Sequence, residues 1–85
     1  MNCQEELINY ISEIGKIPRK DIDMQLPVYN SGIISSLKLL ELMKFIENHF
    51  NIIIKPEELI EDNFRDVGAI VGFIHKKLNL SEVHN

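Results

Sequence analysis

Apolar residues recur at helical spacing in three long stretches of the chain, and the period lapses between them. Between Asn2 and Ile14, Cys3, Leu7, Tyr10, Ile11 and Ile14 form a single stripe, which predicts a first helix. Glu5 and Glu6 fall in its opening turns, where negative charge is favoured, and Gly15 suits the left-handed position after its last turn. From Gly15 to Ser35 no period is sustained: Pro18 and Pro27 interrupt it, and Asn30-Ser31-Gly32 is a turn cluster. A loop this long in a small domain is normally functional or pinned down. Ile17, Ile22, Met24, Leu26, Val28 and Tyr29 supply the pins, with Leu26 expected to lead them into the core.

Ser36 to Phe50 predicts the second helix. Steps of about 100° place Leu39, Leu42, Met43, Ile46, His49 and Phe50 on one arc, the expected core face. Glu41, Lys44, Glu47 and Asn48 lie opposite, and Leu37 and Leu40 break the pattern by falling among them. Asn51 to Lys55 is β-branched and precedes Pro56, so it is expected to be an extended connection with partly buried isoleucines. Pro56-Glu57-Glu58-Leu59-Ile60 predicts a short third helix, with proline at its first position. Asp66 is placed to cap a fourth helix with the stripe Val67, Ile70, Val71, Ile74 and Leu78, and His75, Lys76 and Lys77 lie near its end. Gly68 and Gly72 inside that helix are explained either by a closely approaching helix or by plain tolerance. The reading is all-α: three longer helices, a short third one, and a long first loop. Residues 1–85 form one domain, with an ordered core over about 2–79 and a tail, 80–85, expected to fray.

Charge and cysteine usage narrow the function. Nine basic against thirteen acidic residues give a net charge of −4, which disfavours a nucleic-acid partner. Cys3 is the only cysteine, so no internal disulfide forms and a reducing compartment is inferred. The N-terminus is polar and acidic, unlike a secretory signal, and the longest run free of polar side chains, Val67 to Ile74, is too short to cross a bilayer. A cytoplasmic protein without membrane insertion is the expectation.

Chemistry-bearing constellations are scarce. His49, His75 and His84 lack partners at metal-ligand spacing, no pair of acids stands out as general acid and base, and no glycine-rich phosphate loop follows a strand. The expectation is that the chain is not an enzyme and holds no metal. What remains is Ser35-Ser36 at the head of the second helix. A serine there caps an unpaired backbone N–H, or its hydroxyl carries an anionic group favoured by the positive end of the helix dipole. Leu37 and Leu40, beside it, read as a small docking patch.

Gly32-Ile33-Ile34-Ser35-Ser36-Leu37, followed by an aliphatic helix ending Phe45-Ile46-Glu47-Asn48-His49-Phe50, resembles the acyl and peptidyl carrier proteins. The resemblance runs from about Leu7 to Leu78 and includes the Ile52–Leu59 passage and the Asn63-Phe64-Arg65-Asp66-Val67 entry to the fourth helix. It implies a four-helix bundle of the acyl-carrier type and a 4′-phosphopantetheine arm, derived from coenzyme A, on Ser36. The function it implies is that of a discrete carrier: the arm's thiol holds an acyl or aminoacyl group as a thioester and presents it to partner enzymes. Implied partners are a phosphopantetheinyl transferase, an adenylation or acyl-loading enzyme, and condensing, tailoring or releasing enzymes, all meeting a monomer. Docking falls to Leu37, Leu40, Glu41, Lys44 and Glu47, with Ile53 and Ile54 across the groove. Ser35 stands where the family usually has an aspartate that helps the transferase, and Lys38 and Lys44 make the second helix less acidic than is common. The lysines favour a dedicated set of partner enzymes, in non-ribosomal peptide, polyketide or related ligation chemistry, whereas Ser35 is the one feature that favours an unmodified interaction module. Fatty-acid synthesis, or a helical interaction module without the arm, is the alternative.

Overall fold

The computed structural model describes residues 3–29 and 31–83, with side chains described as far as Asn79. Its elements are α1 (Cys3–Gly15), a 3₁₀ turn (Arg19–Asp21), α2 (Ser36–Phe50), a second 3₁₀ turn (Pro56–Glu58), α3 (Glu61–Phe64) and α4 (Val67–Val83). The described residues hold no β-strand, only an isolated antiparallel bridge between Pro27 and Asp66. α1, α2 and α4 pack against one another, and α3 packs on α4. Their shared core includes Leu7, Ile11, Leu42, Ile46, Phe64, Val67, Ile70 and Ile74, none of them with any exposure. The all-α bundle is the architecture expected from the periodicity.

Helix ends follow backbone chemistry more closely than the apolar stripes do. The left-handed residue closing α1 is Lys16 (φ 53°), not Gly15, and Ile17 N–H donates to Ser12 O across it. Gly15 stays helical, and a Cβ there would meet Ile17 Cδ1 at 3.1 Å. α2 closes in the same way on Asn51 (φ 56°). The third helix departs from expectation in position: Pro56–Glu58 is a 3₁₀ turn, Ile60 is extended, and the α-helical turn comes after it. The carbonyl of Glu58 accepts from Ile60 N–H and Asn63 Nδ2 and is diverted from an α-helical ladder. α4 continues to Val83, into the stretch expected to fray; residues 84 and 85 lie outside the described residues, as does Asn30 of the expected turn.

The long loop is pinned twice over. Ile22, Val28 and Ile34 are buried, whereas Leu26, expected to lead, is only half-buried. Leu26 contributes through its backbone: its carbonyl accepts from Val67 N–H, and Met24 O accepts from Gly68 N–H at 2.8 Å. Loop carbonyls therefore satisfy N–H groups that the first turn of α4 leaves unpaired, while Asp66 Oδ1 accepts from Ala69 N–H as its capping role requires. Val28 and Tyr29 donate to Arg65 O and Phe64 O. The close neighbour of Gly68 is thus loop backbone, not another helix: a Cβ there would lie 3.1 Å from Met24 O, while Gly72 faces open space.

Along the seam of α1 and α2, His49 is not a core residue. Its Nε2 lies 2.7 Å from Glu6 Oε1, and its ring stacks on Phe45. Phe45, absent from the expected arc, stacks on Tyr10 at 4.0 Å between centroids. It belongs to a second stripe, Lys38-Phe45-His49, that faces α1. The extended connection alternates: Ile52 and Ile54 are buried and Ile53 is 73% exposed.

Candidate functional site

The loop entering α2 is shaped residue by residue. Ser31 Oγ donates to Val28 O and accepts from Ile33 N–H, which makes a side-chain-supported turn. Gly32 occupies φ +82°, a conformation that strains any residue with a Cβ. Ile34 is buried and anchors the end of the loop. Ser35 is extended and serves as the N-cap: its Oγ accepts from Lys38 N–H at 3.2 Å and its carbonyl accepts from Leu39 N–H at 2.8 Å.

Ser36 is therefore the first helical residue. It is exposed, and its hydroxyl makes no hydrogen bond among the described residues. Neither do the N–H groups of Ser36 and Leu37, the ordinary condition of a first turn. Ser36 is among the residues lining a cleft of about 600 Å³, with Tyr29, Ile34, Ser35, Leu39, Leu40 and Leu59. Tyr29 and Leu59 reach this site from remote segments, and no periodic signal in the sequence marks them.

The expected docking residues do not form one patch. Leu37 is 72% exposed and Leu40 half-exposed beside Ser36. Glu41 and Lys44 lie further round α2, on a groove of about 660 Å³ shared with Tyr10, Phe45 and His49. Glu47 is half-buried and accepts from Ile54 N–H at 2.8 Å, which holds the extended segment against α2. Ile54 itself is buried, because alternation along that segment turns it inward and Ile53 outward. Lys38 does not face a partner either: its Nζ donates to Ile14 O at 2.6 Å, satisfying a C-terminal carbonyl of α1.

Ionisable groups nearby are tuned by local contacts. Glu58 is held below the ordinary glutamate range chiefly by the N–H of Lys55 and further by Lys77, whose Nζ lies 2.9 Å from Oε1; partial burial opposes them. Burial raises the Cys3 thiol, and burial followed by Glu41 and Glu13 raises the Tyr10 phenol. Among the described residues no three His, Cys, Asp or Glu side chains converge as a metal site would require, and no helix is long and apolar enough to cross a membrane.

The site fits a covalently held phosphodiester: an exposed, unengaged hydroxyl on the first residue of a fifteen-residue helix, two N–H groups without acceptors, and no acid in that first turn. A search of curated proteins finds no match to the chain. The family model for the phosphopantetheine attachment site matches residues 5–74. The chain thus belongs to the phosphopantetheine-attachment family and is a carrier domain for covalently bound 4′-phosphopantetheine.

Proposed function

We propose that Ser36 is the residue esterified by 4′-phosphopantetheine and that the domain carries acyl or aminoacyl groups between partner enzymes. The observation that carries this reading is the division of labour between two adjacent serines. Ser35 Oγ is engaged by Lys38 N–H, whereas Ser36 Oγ is exposed and without a partner among the described residues. The bound arm supplies a thiol that holds its cargo as a thioester. The protein supplies the anchor, first-turn N–H groups that favour the negative charge beside it, and a surface for partners at Leu37, Leu40 and Ile53, with Glu41 and Lys44 further round α2 on a separate groove. Tethering raises the cargo's effective concentration at a docked enzyme without requiring tight binding.

The partners are a phosphopantetheinyl transferase, an adenylation or acyl-loading enzyme, and condensing, tailoring or releasing enzymes. The pathway we favour is non-ribosomal peptide, polyketide or related ligation chemistry, because the head of α2 has no acid and Lys38 and Lys44 offset Glu41 and Glu47. Fatty-acid synthesis is the alternative. We take the carrier to act as a monomer and place it in the cytoplasm, where a lone cysteine without an internal partner stays reduced.

Intact mass spectrometry after incubation with coenzyme A and a broad-specificity transferase tests the assignment. The expected result is a gain of one phosphopantetheine in wild type and in Ser35→Ala, and none in Ser36→Ala. A gain that persists in Ser36→Ala contradicts it. No gain in any form supports an unmodified helical interaction module, the reading that serine at position 35 would favour.

A further inference from the structure

Ser35 and Ser36 lie between two attachments to the same end of α1. Before them, Ile34 is buried, and its Cγ1 lies 4.0 Å from where a Cβ on Gly15 would be. After them, Lys38 Nζ donates to Ile14 O at 2.6 Å in a partly buried contact. The last four carbonyls of a helix lack partners within it, and a cation at that end also meets the negative pole of the helix dipole. An ammonium donating there makes a charge-assisted hydrogen bond, stronger than a neutral one.

The end of α1 is itself fastened. Lys16 closes it in the left-handed conformation, Ile17 N–H donates to Ser12 O, and Ser12 Oγ donates to Ile17 O at 2.6 Å. Lys38 joins that anchor to the head of α2 through both of its nitrogens. Its amine reaches Ile14 O, and its backbone N–H donates to Ser35 Oγ. The charge of Lys38 is thereby committed to backbone of the same chain, two residues beyond a hydroxyl that has no partner among the described residues.

We propose that Lys38 is a positioning residue for phosphopantetheinyl transfer: its amine clamps the first turn of α2 to α1 and so fixes the direction in which Ser36 presents its hydroxyl. The proposal rests on Ser36 as the acceptor. In the transfer, Ser36 Oγ bonds to the phosphorus that bears pantetheine and the phosphoanhydride bond of coenzyme A breaks. Adenosine 3′,5′-bisphosphate leaves, and the hydroxyl proton passes to a base of the transferase. Displacement at phosphorus needs the attacking oxygen in line with the leaving one, so a loosened helix start slows the step without weakening the binding of either substrate. A lysine that contacted the phosphates of coenzyme A would instead act on KM.

The experiment follows modification of the whole chain by coenzyme A and a broad-specificity transferase. Wild type is compared with Lys38→Met, which keeps an unbranched stem without the donor, Lys38→Arg, which restores a charged donor, and Lys76→Met, which removes an exposed lysine of α4. Lys38→Met is expected to lower kcat about ten-fold, with KM for the carrier and for coenzyme A within about two-fold of wild type. Lys38→Arg is expected to recover most of that loss, and Lys76→Met to match wild type. Amide hydrogen exchange of the unmodified chains reads the clamp directly. The Leu39 N–H, which donates to Ser35 O, is expected to exchange about ten-fold faster in Lys38→Met, while that of Ile74 in the core keeps its rate. Unchanged kcat in Lys38→Met, a kcat that Lys38→Arg does not recover, a raised KM for coenzyme A, or Leu39 and Ile74 accelerating together overturns the clamp and leaves Ser36 untouched. Absence of modification in wild type overturns the Ser36 assignment, and the clamp falls with it.

Discussion

Ser35 and Ser36 are adjacent and chemically identical, and one step of backbone geometry gives their hydroxyls different surroundings. Ser35 precedes the helix in an extended conformation and turns its hydroxyl to Lys38 N–H; Ser36 begins the helix and leaves its hydroxyl outside. Ser35→Ala removes the cap and is expected to lower stability by about 1 kcal/mol, whereas Ser36→Ala is expected to change it by less than about 0.5 kcal/mol. Urea denaturation of the two unmodified variants checks this. Both roles were legible in the sequence as alternatives for a serine at a helix start. Their allocation rested on the family resemblance, and the hydrogen bond now supports it independently. Lys38 was not legible, because nothing local marks a side chain whose partner is the carbonyl of Ile14, twenty-four residues earlier. Glu58 gives a further test at this scale. Its folded-state pKa is depressed, so its contribution is complete above the ordinary glutamate range and is lost as pH falls through the depressed value. Glu58→Gln is expected to be less stable than wild type at neutral pH, with the gap closing in acid, below the ordinary glutamate range. Denaturation at the two pH values checks the sign.

Long helices announce themselves through their apolar period, and α1, α2 and α4 lie where their stripes predicted. Short elements are governed by single hydrogen bonds, which is why the expected third helix became a 3₁₀ turn followed by α3 once the Glu58 carbonyl was diverted to Ile60 and Asn63. The same limit applies at α1, where the end fell one residue beyond the glycine, on Lys16. The two glycines of α4 show how an element's neighbours decide what its sequence leaves open. Gly68→Ala forces a Cβ against Met24 O and is expected to cost about 1–3 kcal/mol. Gly72→Ala meets no neighbour and is expected to stabilise by about 0.5–1 kcal/mol through helix propensity. Thermal melts of the pair should move in opposite directions.

Across the whole molecule, the long first loop and the α3–α4 junction form one device. Met24 and Leu26 carbonyls complete the first turn of α4, Val28 and Tyr29 bond to Arg65 and Phe64, and Ile22, Val28 and Ile34 enter the core. The loop's apolar residues showed that it would be held, but pairings between segments forty residues apart leave no periodic trace in the sequence. That fixed path delivers Gly32 to Ser36 against the cleft and places the candidate anchor between α2 and the segment carrying Leu59. Tandem mass spectrometry of the protein made in its native host tests the central claim most directly. It should localise a phosphopantetheine, free or acylated, to the hydroxyl of residue 36; the same group on Ser35, or a bare Ser36 peptide under every loading condition, would contradict it.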